Sequence, residues 1–413
     1  MTKAVVRRLL AAKGMRAFGD GFVSLLLPLY LLELGFTPLD VGIIATATLL
    51  GSGLLTLWVG LRAHRYHYRT LLLAATVLMA ATGLAFASFT AFWPLLVIAI
   101  VGTLNPSSGD VSVFLPLEHS VLTRAAADKE RTRVFAHYSL AGALMAAVGS
   151  LAAGLPVFIA KSTGISMLGA IQWMFVLYAS IGVATAFIYR GLPKADAQVR
   201  EVRAPLGPSK KRVWMLAALF SLDAFGGGLV VQSMVALWLY QRHDLSIVAT
   251  GQIFFWTGVL SAFSFLAAVR IANRIGLVNT MVFTHLPANV CLMMIPFMPT
   301  LAPVIVLLMI RAALSQMDVP TRSSYVMAIV TAAERPAAAS ITAVPRSLAS
   351  AASPFIAGYL LGISPFGWPL FAAGALKVIY DLLLLAMFRR VRPPEEAGPR
   401  EPPAPAAASR RGT

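Results

Sequence analysis

Apolar runs, each close to the length of helix that crosses a bilayer, follow one another along almost the whole chain. A hydrocarbon core of ~30 Å is crossed by about 20 helical residues. Twelve such windows fit between residues 15 and 388, separated by charged or Pro/Gly-rich breaks. Within lipid every backbone N–H and C=O has to be satisfied by the protein itself, so runs of this length specify helices. The expectation is an all-α integral membrane fold of twelve transmembrane helices in two six-helix bundles. With 58% hydrophobic and 12% charged residues, the chain carries about half the charge of a soluble domain. The basic N-terminal segment lacks a cleavage pattern and leads into a further apolar run, which marks a retained first span.

The charges set the orientation. Of 34 Lys and Arg, 28 fall on one side of the windows if the N-terminus is cytoplasmic. On the other side lie Lys161 and Arg242; Arg311, Arg322, Arg346 and Lys377 lie within spans. By the positive-inside rule both termini are cytoplasmic, in a bacterial-type inner (plasma) membrane. The net charge of +17 is thereby explained by topology, with no call on nucleic acid. The organisation expected is a tail over 1–14, a bundle over 15–190, a basic linker over 191–212, a second bundle over 213–388 and a disordered Pro/Ala/Arg-rich tail over 389–413. One cysteine, Cys291, excludes disulfides and a Cys-rich metal site.

The two halves repeat. Gly60, Arg65 and the loop after the second window correspond to Val269, Arg274 and the loop after the eighth, 209 residues on, and Gly42 to Gly251. Asp110-Val111 in the fourth window (93–117) matches Asp318-Val319 in the tenth (301–327). Duplication of six spans is the organisation of rocker-type secondary transporters. The loop after the second window resembles the major facilitator superfamily signature G-x-x-x-D-R-x-G-R-R: Gly60, Arg65 and Arg69 are in place, and Arg274 and Gly276 recur in the second copy. The resemblance runs over residues 15 to 388. It departs where His64 and Asn273 replace the signature Asp and where His67 and Tyr68 replace Gly and Arg. The acid of the family's cytoplasmic latch is thus absent, and His64 is either a hydrogen-bonding substitute for it or a plain interfacial histidine.

Ionisable groups in hydrocarbon cost several kcal/mol unless paired or wet, so each is a candidate for function. Asp20, Asp110, Asp223 and Asp318 fall in the first, fourth, seventh and tenth windows, which the resemblance assigns to the central cavity. All four lie in the cytoplasmic third. They serve either proton exchange, since a carboxylate in low dielectric changes charge near neutral pH, or salt bridges of a cytoplasmic gate. In the tenth window Arg311, Asp318, Arg322 and Tyr325 fall on one helical stripe, with Asp318 and Arg322 spaced as an i, i+4 ion pair. Arg311, Arg322, Tyr325 and Arg346, with Asn105, are the expected substrate contacts; Arg311 binds an anion or pairs with an acid of another helix. Lys377 can pair with Asp381 one turn on, and Glu118 is either an acid within the fourth span or one at its solvent-exposed end. Asn105-Pro106-Ser107-Ser108-Gly109 interrupts helical hydrogen bonding in mid-membrane, tolerated where protein or a water-filled cavity satisfies the backbone. Gly226-Gly227-Gly228 marks a hinge or a close helix approach.

His137 and His285 show no metal-ligand spacing, and no cofactor or metal is expected. No phosphate-binding G-x-x-x-x-G-K-[ST] occurs, which points to an ion gradient and away from ATP, and no hydrolytic constellation marks an enzyme. Gly149, Gly154, Ser353, Pro354 and Gly358 resemble degraded copies of the G-P-x-x-G-G pattern of the superfamily's proton antiporters. The implied activity is secondary transport of a small solute by alternating access, proton-coupled, as a monomer, with export favoured. The alternatives are an anion permease using the intramembrane Arg residues, or a non-transporting receptor of the same fold.

Overall fold

The computed structural model describes residues 2–62, 66–107, 112–125, 131–193, 207, 209–331 and 334–389, and among these there is no strand. The first half comprises α1 (Thr2–Glu33), α2 (Pro38–Arg62), α3 (Tyr68–Ser88), α4 (Phe92–Val101), α5 (Phe114–Ala125), α6 (Arg131–Ala152), α7 (Leu155–Thr163) and α8 (Met167–Arg190). The second comprises α9 (Lys210–Leu229), α10 (Gln232–His243), α11 (Ile247–Ile275), α12 (Leu277–Met294), α13 (Leu301–Ser315), α14 (Asp318–Ala328), α15 (Arg335–Ile363) and α16 (Trp368–Phe388). Among the described residues nine helical segments are long and apolar enough to cross a membrane, and α4 and α13 are shorter apolar helices.

Helix ends follow local chemistry. Ser166 and Ser246 cap α8 and α11, each side chain accepting from an amide three residues on at 3.2 Å. Between α11 and α12 the chain turns at Gly276, whose φ of +86° is left-handed space that favours glycine. This explains a signature glycine at that position.

Three spans are broken in mid-course. The fourth stops at Val101 and resumes at Phe114; in the gap, the Asn105 side-chain oxygen accepts from the Ser107 amide at 3.0 Å and its hydroxyl at 2.7 Å, a turn in place of helix. The seventh breaks at Val230 and Val231, just past the three glycines. The tenth breaks at Gln316 and Met317. Pro320 has no N–H to return to the Gln316 carbonyl, which accounts for the last of these. The stripe expected to run from Arg311 to Tyr325 is therefore divided between two helices.

The halves meet toward one end of their helices. Gly42 at the start of α2 packs on the Pro354 carbonyl and Gly358 near the end of α15. Nearby the Phe355 amide donates to Thr46 Oγ1 at 2.8 Å. Gly251 of α11 packs on Ser150 of α6. Gln232 Nε2 donates to Ser150 Oγ at 3.3 Å, and the Tyr240 hydroxyl to the Leu25 carbonyl at 3.1 Å. Gly149, Pro354 and Gly358, noted above as antiporter-like, thus have direct packing roles: Gly149 meets the Phe18 carbonyl of α1. Gly228 gives close approach between α9 and Ser350 of α15.

Candidate functional site

The membrane-embedded charges gather into two buried networks. In the second half, Asp223 of α9 receives Lys377 Nζ of α16 at 2.7 Å on Oδ1 and Arg322 Nη2 of α14 at 3.1 Å on Oδ2. The same Arg322 nitrogen bonds Asp318, the i, i+4 pair read from the sequence. On α12, His285 Nδ1 lies 3.0 Å from Asp381 Oδ1 and its Nε2 lies 3.8 Å from Asp223 Oδ1. Asn289 Nδ2 completes the set by donating to Asp381 Oδ2 at 2.8 Å. Every one of these side chains is buried. Asp223 is thereby the junction of four helices, and unpaired burial of its charge would be costly.

The intrahelical Lys377–Asp381 pair expected from spacing does not form. Asp381 is occupied by His285 and Asn289, and Lys377 crosses to Asp223. Arg322 keeps Nε and Nη1 buried without an acceptor among the described residues, as is the Tyr380 hydroxyl. Arg346 of α15 is exposed yet lies within electrostatic reach of Arg322, Asp223 and Asp318. Nε and Nη1 of Arg322 thus have no acceptor among the described residues, the arrangement that favours an anionic group.

In the first half Glu118 of α5 is fully buried, which favours the acid within the span over the solvent-exposed helix end. Arg16 of α1 and the Tyr138 hydroxyl of α6 both bond its Oε2, and the Tyr189 hydroxyl of α8 donates to Oε1 at 2.6 Å. The Arg16 guanidinium also lies 4.0 Å from the centre of the Phe114 ring. Asp20 stands beside Tyr178 and Arg16 in this same half, and the Tyr178 hydroxyl donates to the Thr103 carbonyl at 3.2 Å.

Of the four expected aspartates, then, Asp223 and Asp318 share one arginine, Asp20 belongs to the other network, and Asp110 lies outside the described residues. Arg311, on α13, keeps a buried Nε with no partner among the described residues and lies near Cys291. Tyr325 is fully buried with its ring edge-on to Phe388, 6.2 Å away, in a hydrophobic cluster. Asn105 is buried in the break of the fourth span. In the signature loops Gly60 ends α2 and Arg69 begins α3, half-buried; Asn273 and the exposed Arg274 close α11 at Gly276. His64 and Arg65 lie outside the described residues. Glu118 and His285 are the residues that spacing undervalued, because their partners are distant in sequence. Among the described residues no group of three or more His, Cys, Asp or Glu is arranged to hold a metal ion.

The broken helices add backbone polarity to these charges. The Ser233 amide, in the first turn of α10, donates to the Pro106 carbonyl at 3.1 Å, tying the interruption of the seventh span to that of the fourth. The break at Gln316 lies 209 residues after Ser107, so the fourth and tenth spans are interrupted at equivalent points of the repeat. Paired interruptions of this kind mark binding sites in transporters built from repeats.

A helical membrane protein with duplicated halves and polar interruptions in matching spans has the architecture of a secondary transporter. The Major Facilitator Superfamily model matches residues 9–315, and the chain belongs to that family. It is similar to the uncharacterized membrane protein YJR124C of Saccharomyces cerevisiae, 23% identical with 93% of this chain and 94% of that protein covered. Among solved structures it resembles the nucleoside transporter NupG, at TM-score 0.73 and 13% identity over 93% of this chain and all (100%) of that one. It also resembles the inward-open xylose transporter XylE from E. coli, at TM-score 0.68 and 15% identity over 91% and 94% of the two chains. At such identities the structural likeness is one of fold. The protein is a multi-pass membrane protein of a transporter family, and membrane transport of small molecules is the activity that the family and fold support.

Proposed function

We propose that this protein is a twelve-span, proton-coupled exporter that moves a small solute by alternating access between its two six-helix halves. The observation that carries the reading is the buried network around Asp223, joined to spans interrupted at equivalent points of the repeat. Charges kept in the membrane interior at such cost are retained for ion or substrate handling. The halves meet at the end of the molecule where α1 runs into α2, which by charge asymmetry is the outer face. The arrangement then corresponds to a cytoplasm-facing state in a bacterial-type inner membrane, both termini inside. Asp20, Asp110, Asp223 and Asp318 carry gating or proton exchange, and Asn105, Arg322 and Arg346 are the proposed solute contacts. The protein acts as a monomer.

A second reading, an organic-anion permease, is favoured by the acceptor-free Nε and Nη1 of Arg322 and the exposed Arg346 near it. One experiment addresses both: thermal unfolding of the purified full chain with nucleosides, sugars, organic cations and organic anions, at pH 6 and pH 8. A ligand of the folded state raises the melting temperature by mass action. Stabilisation by one solute class with a pH-dependent magnitude supports the coupled-transport reading, and stabilisation by anions that Arg346→Gln abolishes selects the second. No stabilisation by any class in well-folded protein counts against both.

A further inference from the structure

In the second-half network the carboxylates outnumber the cations bonded to them. Three buried acids, Asp223, Asp318 and Asp381, face two buried permanent cations, Arg322 and Lys377. The remaining buried group able to carry positive charge in this cluster is His285, and its ring nitrogens address two different carboxylates: Nδ1 to Asp381 at 3.0 Å and Nε2 toward Asp223 at 3.8 Å. Protonated on Nε2 alone, the ring can accept from the Asn289 amide at Nδ1 but gives Asp381 no N–H; the doubly protonated ring offers an N–H to each carboxylate. We propose that the His285–Asp381 pair is the seat of the exchangeable proton. This places the coupling site on α12 and α16, beside the aspartates singled out from the sequence, and it rests on the proton-coupled reading above.

The surroundings of His285 support the assignment. From α16 it meets Asp381, the Tyr380 ring edge-on at 6.0 Å and, through Asp223, Lys377. From α14 the network brings Asp318 and Arg322 onto Asp223. On its own helix Asn289 is 3.0 Å from Nδ1 and donates to Asp381. Among the charged residues of the other helices packed on α12, Arg311 of α13 lies against Cys291, and Arg270 and Arg274 are exposed toward the end of α11. Arg346 of α15 is exposed and within electrostatic reach of Asp223 and Asp318, but among the described residues it bonds none of the three carboxylates, so these still outnumber the cations in direct contact with them. Buried charge must be neutralised, and here a proton shared by His285 and Asp381 is what neutralises the extra carboxylate.

In this mechanism the network is neutral and closed with the proton bound. Loss of the proton to water leaves one uncompensated carboxylate charge and loosens Asp223 from its partners, so that the four helices meeting there rearrange. The step breaks an N–H bond and makes an O–H bond of hydronium, the proton passing to water on whichever side is open.

The charge count gives unequal predictions for variants that a purely structural polar cluster would treat alike. Asp381→Asn leaves two acids facing two permanent cations, balanced with neutral His285. His285→Gln leaves the imbalance in place at every pH, and the double variant removes it. In the full-length protein, the melting temperature of the wild type should fall as pH rises from about 6 to about 8, because loss of the bound proton destabilises the network. Asp381→Asn should be folded with a flat profile, His285→Gln destabilised throughout, and the double variant more stable than His285→Gln. An Asp381→Asn profile as steep as the wild type, or a double variant less stable than His285→Gln, overturns the proposal. In proteoliposomes holding a pH-sensitive dye, challenged with nucleosides, sugars, organic cations and organic anions, Asp381→Asn should lose solute-elicited proton movement by at least about tenfold. Movement equal to wild type overturns the proton's placement alone. A wild type in which no solute moves protons overturns the coupled-transport reading on which it rests.

Discussion

Gly42 on α2 and Gly358 on α15 lie back to back where the two halves of the protein meet. A Cβ at Gly42 would stand 2.6 Å from the Pro354 carbonyl, and one at Gly358 would stand 2.5 Å from the Pro38 carbonyl. No side chain fits between these backbones, so the closeness of this seam depends on two glycines in different halves. A rim that must seal and open in each transport cycle benefits from contacts between small residues, which hold by close packing and separate without breaking charged pairs.

Gly358→Val should therefore bias the protein away from the state in which this rim is sealed. With Cys291 replaced by Ser, a cysteine at Thr46 should react with a membrane-impermeant maleimide about tenfold faster in Gly358→Val than in its parent, the effect of a population shift of roughly 1.4 kcal/mol. Equal rates would show that the seam does not govern closure.

Asp223→Asn should be among the most damaging single substitutions, since it leaves Lys377 and Arg322 buried and undercompensated. Breaking a buried pair at one partner costs about 3–5 kcal/mol. Thermal unfolding in detergent should show a large loss for Asp223→Asn, with substantial recovery in Asp223→Asn/Lys377→Met, because neighbouring charges couple.

Glu118→Gln tests the other network. Its carboxylate accepts from Arg16, Tyr138 and Tyr189, which come from three other helices. Unfolding measurements should show a loss comparable to that at Asp223, about 3–5 kcal/mol, and Glu118→Gln/Arg16→Met should be less destabilised than Glu118→Gln.

Outside the membrane, Glu334 ties the linker to the loop before α15. It accepts from the Gly207 amide at 2.6 Å, the Ser209 hydroxyl at 3.0 Å and the Thr331 hydroxyl at 2.9 Å. These donors, the Gly207 amide foremost, hold its carboxyl down to about 2. A carboxyl lowered on folding from about 4.3 contributes its full stability above that value. The contribution is lost as pH falls toward 2. Hydrogen exchange, corrected for its intrinsic pH dependence, should show the Gly207 amide protected from pH 7 down to about 4 and released below. Glu334→Gln should weaken that protection already at pH 7.

Local patterns in the sequence announced a good part of this structure. The apolar windows and their basic flanks specify membrane helices, Asp318 and Arg322 pair at one turn's spacing, and Asn105-Pro106 interrupts the fourth span. The break at Gln316 was equally encoded, through Pro320, but the 311–325 stripe invites reading as one continuous helix. The partners of Asp223 were not legible, because Lys377 is 154 residues away and its nearest acid by spacing, Asp381, is held by His285 and Asn289. For the same reason Glu118 can pass for a helix-end acid until Arg16, 102 residues earlier, is seen against it. Spacing rules reach one or two turns, and the charge networks are assembled by tertiary packing.

Alternation of the two rims is the central claim, and paired spin-label distances test it most directly. With Cys291 replaced, one pair of labels goes at Glu33 and Ile363, near the rim where the halves meet, and a second at Tyr66 and Ile275, near the opposite rim; all four positions are exposed. In liposomes at pH 6 and pH 8 the account predicts two distance populations for each pair, shifting reciprocally: as the first pair separates, the second draws together. A single distance for each pair, unchanged by pH and by every solute class, would contradict it.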